Sequence, residues 1–283
     1  MRIIFHIDVN NAFLSWTAVD LLKKGYKDIR LIPSCIGGDE TSRKGIVVSR
    51  SDSAKKSGVK AAMSIYEAKK ICPNLEVYPH NFELYIKNSH EFYNYLSQYT
   101  PVIEQYSVDE CFLDLTNTNY LYKDYIELAY KIKDEIYNKF GYTVNVGIGN
   151  NKLCAKMASD FEKPNKVHTL WDSEIESKMY PLPVDDLLYC GKSSSSLLHK
   201  LGINTIGDLA NCSTNKLEPY FKNRTVSLIN SARGIDDSEV ITEYGDNKSI
   251  SLSRTFDHDL SDFFEIKNYL LDYANIVGLK IRK

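Results

Sequence analysis

Two adjacent acids, Asp109 and Glu110, interrupt an otherwise apolar stretch running from Val102 to Leu115. The residues around them are β-branched, aromatic and aliphatic, a composition that builds buried strands. Burying unpaired carboxylates costs several kcal/mol, so a pair of them here requires a compensating cation or a water-filled cleft. A third acid, Asp8, ends a comparable run, Ile3-Ile-Phe-His-Ile-Asp8. Three carboxylates at the ends or turns of apolar strands suggest a site for hard divalent cations, which prefer oxygen ligands. Successive strand residues point to opposite faces, so Asp109 and Glu110 can share one site only if a tight turn or bulge near Ser107 breaks the alternation. Asp114, in the same run, has no neighbour pattern that argues for metal and reads as structural.

The chain that must position these acids has 283 residues, enough for two compact domains or more, with 43% hydrophobic and 25% charged residues. No run approaches the ~20 apolar residues of a membrane span, and no leader-like segment precedes the first strand, so a cytoplasmic protein is expected. The six cysteines form no Cys-x-x-Cys pair and sit mostly among apolar neighbours, which predicts reduced core thiols rather than a zinc site or disulfides. The formal net charge of −2 means that any nucleic-acid binding must come from locally concentrated positive charge.

Hydrophobic periodicity predicts helices over 10–22, 52–57, 65–71, 82–98, 125–140, 152–161 and 263–281, with Gly25, Gly58 and Gly141 as stops. Strands are predicted at 3–8, 29–36, 46–49, within 102–115, at 143–148 and at 250–256. This order suggests an α+β architecture, with a sheet that contains antiparallel strands and helices packed on one side. Residues 181–234 read as all-helical, and 236–247 as a polar, acidic linker. Turns at Gly191, Gly202 and Gly207 precede helices there, and amides exposed at such turns can bind backbone phosphates without reading sequence.

Six ordered motifs carry a resemblance to the Y-family, or translesion, DNA polymerases, leaning toward the bacterial UmuC/DinB-like branch. They are Ile7-Asp-Val-Asn-Asn-Ala-Phe13, Ala54-Lys-Lys-Ser-Gly-Val-Lys60, Glu67-Ala-Lys-Lys70, Ser107-Val-Asp-Glu-Cys-Phe-Leu-Asp114, Val146-Gly-Ile148 through Lys152, and Ala155-Lys-Met-Ala-Ser-Asp160 through Lys163-Pro-Asn165. The resemblance covers nearly the whole chain. It implies a right-hand polymerase: a mixed-sheet palm at 1–20 and 80–170, a small fingers insert at 21–79, and a helix-hairpin-helix thumb at 171–238. A linker and incomplete little finger would occupy 239–283, with further sequence, including any sliding-clamp-binding peptide, lying beyond this chain.

What the resemblance implies for the chemistry is template-directed, in-line nucleotidyl transfer from a deoxynucleoside triphosphate to a primer 3′-hydroxyl, carried by two Mg2+ ions. Asp8 and Asp109 would bridge the ions, the Val9 carbonyl would add a ligand, and Glu110 would complete the site near the primer terminus. Phe13 occupies the position beneath the incoming sugar, where a flat aromatic clashes with a 2′-hydroxyl. Lys163 and Lys55 would meet the triphosphate, with Ser49 as a hydroxyl contact and Arg50 as a compensating cation. The chain departs from the family in its fingers helix, where Asp52 and Lys55 replace the usual Tyr and Arg; lysine lacks arginine's bidentate fork and aspartate repels phosphate. Lys152, Lys156 and Lys166 are expected on DNA, together with the turns at Gly191 and Gly202. A monomer is expected.

Two other classes compete. Gly37-Gly-Asp-Glu40 copies the start of a diguanylate cyclase signature, but Thr41 replaces the usual aromatic, and that reading leaves Asp109-Glu110 and the helical segment without a role. A non-catalytic DNA-binding accessory protein of DNA repair would keep the acids without activity.

Overall fold

The computed structural model describes residues 1–38, 45–243, 245, 248–256 and 258–282. In chain order the strands are β1 (Ile4–Val9), β2 (Ser34–Gly37), β3 (Val47–Arg50), β4 (Glu76–Tyr78), β5 (Ile103–Gln105), β6 (Glu110–Asp114), β7 (Val144–Gly149) and β8 (Val167–Leu170). The α-helices are α1 (Ala12–Lys23), α2 (Asp52–Lys56), α3 (Ile65–Ile71), α4 (Phe82–Leu96), α5 (Tyr125–Phe140), α6 (Lys152–Asp160), α7 (Lys192–Lys200), α8 (Ile206–Ala210), α9 (Thr214–Phe221), α10 (Thr225–Ala232) and α11 (Phe263–Ile281). The chain divides into two units, Met1–Asn10 with Glu83–Thr242, and Asn11–Phe82 with Glu243–Lys283.

The first unit is built on a five-stranded mixed sheet in the order β5-β6-β1-β7-β8. Strands β1, β6, β5 and β7 pair antiparallel, while β8 runs parallel to β7. A parallel pair needs a crossover, and α6 supplies it. Alternation sorts the side chains of β1 cleanly. Phe5 and Ile7 share a face with Leu113, Cys111, Ile148 and Val146, all buried. The Phe5 ring meets Tyr125 of α5 at 6.4 Å, so α5 covers that face with its buried Ala129, Ile132 and Ile136. Burying side chains of this size is worth about 1.5–3 kcal/mol each. Asp124 caps α5 by accepting from the amides of Ile126 and Glu127, and Gly141 ends it in a left-handed conformation at φ 80°.

The opposite face of β1 carries Ile4, His6 and Asp8, and α6 covers it. Helices therefore pack on both faces of the sheet rather than on one. The reason lies in β7: a β-carbon on Gly147 would stand 1.9 Å from the Ala155 carbonyl oxygen and 2.4 Å from the Ser159 amide, and one on Gly149 2.6 Å from the Ala155 amide. Two glycines thus let α6 lie directly on the strand. Gly147→Ala should destabilise the fold by on the order of 3 kcal/mol through overpacking against backbone that cannot yield. That is read as a melting temperature roughly 10 °C lower by circular dichroism; an unchanged melt would mean that helix and strand are not in such close contact.

Beyond β8, α7 to α10 and short 3-10 and π turns share a core of Leu198, Ile206, Leu209, Leu217 and Leu228, continuous with Leu153, Cys154 and Met157 of α6. The start of the predicted linker is held fast rather than loose. Asp236 accepts from the Leu153 amide, the Ile241 amide donates to Glu104, and Val240 is buried with Ile4, Phe112 and Ala155.

In the second unit, β3-β2-β4 form a small sheet on which α1 packs, with Cys35, Val47, Ala54, Val59 and Ile65 as its core. The predicted strand over 29–36 is strand only from Ser34. Asp28 accepts from the Arg30 amide and starts a 3-10 turn over Ile29–Leu31, and Pro33 has no amide to donate to a ladder. β4 and β8, both short, carry no alternation long enough to predict them. No pairing is found for the predicted strand at 250–256 among its described neighbours, whereas α11 forms over the predicted residues. The Gly37-Gly-Asp-Glu40 motif runs into residues outside those described. Among the described residues no helix is long and apolar enough to cross a membrane, and all six cysteines are free thiols.

Candidate active site

Within the first unit, strand pairing sets Asp8 directly opposite Glu110 and beside Asn145. Asp109 lies just outside β6, in the turn that the sequence required. The amides of Tyr106 and Ser107 both donate to the Glu110 carbonyl, the Ser107 hydroxyl donates to Asp109 Oδ1 at 2.7 Å, and the Val9 amide donates to the Asp109 carbonyl at 3.0 Å. The turn frees Asp109 from strand alternation, so three acids gather at one end of β1 and β6.

Burial and the neighbouring charges raise two of these acids. Burial, with help from Glu110 and Asp109, pushes Asp8 up to about 6 against the pull of Lys163. Burial and Glu110 also raise Asp109, and the Ser107 hydroxyl partly offsets them. At neutral pH Asp8 is still mostly ionised and pairs with the Lys163 ammonium, which also sits 2.8 Å from Asp160. Burial works against that ammonium, but Asp8 and Asp160 outweigh it and hold its pKa above the usual lysine value. Lys156 plays the same part for Glu110, its Nζ 2.5 Å from Oε1.

Among the described residues, no three His, Cys, Asp or Glu side chains are gathered tightly enough to hold an ion as they stand. The side chains explain it: Asp8 turns to Lys163 and Glu110 to Lys156. The donor set nonetheless fits a hard divalent cation, being all oxygen and more negative than its lysines neutralise.

Side chains that the motifs did not single out frame the acids. Asn145, fully buried on β7, donates to the carbonyls of Ser159 and Glu162 and accepts from Asn10 Nδ2. Asn10 Oδ1 in turn accepts from the Asn165 amide, next to the cis Lys163-Pro164 bond, which seats the loop that carries Lys163. A polar residue alternating with valines in Thr143-Val-Asn-Val was the available signal. His6 is wholly buried, held neutral by burial and by the charges of Lys156 and Lys163.

The lysines expected on DNA are divided by the structure. Lys152 is only 9% exposed and its ammonium grips both oxygens of Glu104, at 2.8 and 2.6 Å. Lys156 is committed to Glu110. The close seat of α6 on β7 carries both stems under the sheet, where carboxylates meet them, so neither is the solvated cation that spacing on a helix suggested. Lys166 remains at the surface, 3.1 Å from Glu162. Gly191 and Gly202 are exposed turns on either side of α7, Gly202 in the left-handed region at φ 76°.

The second unit holds the remaining candidates. Phe13 is half-buried near the start of α1, its ring edge-on to the buried Trp16 at 6.1 Å. Ser49 is buried opposite Ile36 in β3, and Arg50 follows it with a buried Nε that has no hydrogen-bond partner among the described residues. Ser51 caps α2, which places Asp52 in its first turn and Lys55 in its last, both exposed. Each charge there complements the helix dipole, which gives Asp52 a structural reason for its position.

Acids thus converge from antiparallel strands, faced by lysines and backed by a crossover helix. A family model described as impB/mucB/samB matches residues 7–160. A DNA polymerase IV of Clostridium acetobutylicum is 46% identical over 282 residues, covering 99% of this chain and 71% of that protein. The DNA polymerase IV of Alkaliphilus oremlandii is 36% identical, covering 99% of this chain and 70% of its own. Among solved structures, a chimaeric Y-family DNA polymerase aligns with a TM-score of 0.82 at 29% identity, over 98% of this chain and 80% of the other. DinB from Sulfolobus solfataricus aligns at 0.74 and 30%, over 84% and 69%. The chain belongs to this UmuC/DinB family of Y-family DNA polymerases.

Proposed function

We propose that this chain extends a primer on a DNA template by the family's reaction, with Asp8, Asp109, Glu110 and the Val9 carbonyl holding two Mg2+ ions. Bound there, the metals would neutralise the transferring phosphate and lower the pKa of the attacking hydroxyl. The chain's own residues do the rest. The β1–β6 register aims Asp8 and Glu110 at one point, the Ser107 turn adds Asp109, and Lys163 offers its charge to the triphosphate. The observation that carries this reading is the direct cross-strand pairing of Asp8 with Glu110, with Asp109 tied to the Val9 amide beside them.

In this assignment residues 1–20 and 80–170, which include the five-stranded sheet, are the palm, residues 21–79 are fingers, 171–238 the thumb, and 239–283 the linker and first part of a little finger. Phe13 excludes ribose; Ser49, Arg50 and Lys55 meet phosphate; Lys166 and the Gly191 and Gly202 turns meet the DNA backbone. A lesion-bypass role in the cytoplasm, as a monomer, goes with the reading, and a sliding clamp is its further partner.

One departure from the family pattern favours a non-catalytic accessory protein: Asp52 and Lys55 stand on α2 where the resemblance implies Tyr and Arg. A primer-extension assay with four deoxynucleotides and magnesium decides between them. Primer growth supports the polymerase. DNA binding without growth supports the accessory protein and overturns the proposal, as would a cyclic dinucleotide made from GTP.

A further inference from the structure

Lys156 and Lys163 both face the acid cluster, but they are held very differently. Lys163 has a side chain 38% exposed, lies in the loop after α6, and divides its charge between Asp8 and Asp160. Lys156 is 12% exposed and projects from the middle of α6, the helix that the β7 glycines seat against the sheet. Among the described residues its ion pair is with Glu110, and its charge also reaches Asp109 and His6. Lys152, one helical turn earlier, is already bound to Glu104. The Tyr106 ring stands 5.0 Å from its ammonium. Its backbone carbonyl accepts from the Ser159 hydroxyl, which also meets His6 Nδ1 at 2.8 Å. The Glu110 oxygen that Lys156 holds is 3.8 Å from His6 Nε2. That oxygen is therefore bounded by one side chain from α6 and one from the face of β1 that α6 covers.

We propose that Lys156 is a positioning residue for Glu110. It occupies Oε1, keeps the carboxylate in one rotamer, and leaves Oε2 as the oxygen presented to the reacting centre. Lys163, more exposed and shared, is by contrast the counterion free to leave Asp8 for an incoming triphosphate. A long glutamate side chain loses substantial rotamer freedom when it is fixed, and Lys156 provides that restraint before substrate arrives. The inference rests on the polymerase reading, within which it gives Lys156 a role other than the DNA contact that its sequence position suggested.

Lys156→Met keeps the apolar stem and removes the charge. Single-nucleotide turnover should fall roughly tenfold to a hundredfold, the usual effect of removing a group that orients a catalytic ligand, while the deoxynucleotide KM stays within about twofold. DNA affinity and its salt dependence, measured by fluorescence anisotropy without metal or nucleotide, should be unchanged. A phosphate-contacting lysine would instead weaken binding and reduce the salt slope by about one. In a Glu110→Gln background the Lys156→Met effect should largely vanish, because residues that act through one another are not additive. A reduced salt slope, or an undiminished effect in that background, overturns the proposal.

If Lys156→Met does not fold, Lys156→Arg decides. It retains charge for a phosphate but cannot place one ammonium on Oε1 in the same way, so turnover should drop with DNA affinity intact. Wild-type turnover in that variant overturns the proposal. A parent chain that extends no primer would instead mark the failure of the polymerase reading itself.

Discussion

Asp109→Ala should yield a chain that folds as well as the parent and adds essentially no nucleotide to a primer. The side chain's one hydrogen bond to a neighbouring side chain is to Ser107, while the bond that ties this turn to β1 runs from the Val9 amide to the Asp109 backbone carbonyl and survives the substitution. Removing the carboxylate also relieves its repulsion with Asp8 and Glu110, which contributes to the raised pKa of Asp8. Stability should therefore be equal or slightly higher, as is usual where a site is arranged for function at the expense of stability. The reaction, in contrast, loses a ligand at the point where charge develops on the transferred phosphate. A loss of roughly a thousandfold or more in turnover, about 4 kcal/mol of transition-state stabilisation, is expected. Single-turnover extension and a thermal melt on the same preparation measure both. Turnover within tenfold of the parent would remove Asp109 from the metal site.

The second large effect concerns sugar selection. Phe13 lies five residues after Asp8, and Trp16, fully buried, backs one edge of its ring. The Phe13 carbonyl accepts from the Thr17 hydroxyl at 2.7 Å, which helps hold this turn of α1 in place. In the proposed role this ring stands against the added oxygen of a ribose, and it offers a 2′-hydroxyl no hydrogen bond. Phe13→Ala should lower the preference for deoxyribonucleotide over ribonucleotide by roughly a hundredfold in kcat/KM, equivalent to about 3 kcal/mol. Most of the change should be gained ribonucleotide use rather than lost deoxyribonucleotide use. Unchanged discrimination would place the gate on another residue.

The differing fates of four charged residues show where reading the sequence succeeds and where it stops. Asp109 and Glu110 were recognisable because carboxylates inside an apolar run are expensive, and the alternation of strand side chains already demanded a turn at Ser107, which the structure contains. Lys152 and Lys156 were misleading. Four residues apart on a short helix, they have the spacing of a solvated basic face, and nothing local distinguishes that from a buried one. Their true partners, Glu104 and Glu110, are 48 and 46 residues away in the chain. Only the close approach of α6 to Gly147 brings them together.

The amino-acid sequence by itself determined the chemical types available, the order of the motifs, and the helices whose caps and periodicity are local, such as α3 over 65–71 and α5 over 125–140. Capping hydrogen bonds and a 3.6-residue period are formed within a few residues, so they are written locally. The tertiary structure decided which acids face one another, which lysines neutralise them, that Asn145 and Asn10 brace the Lys163 loop, and that the segment after Asp236 is bound down rather than free. Those outcomes depend on strand register and on how closely a helix can settle on a sheet. Both are set by contacts between residues far apart in the chain, and no local pattern encodes them.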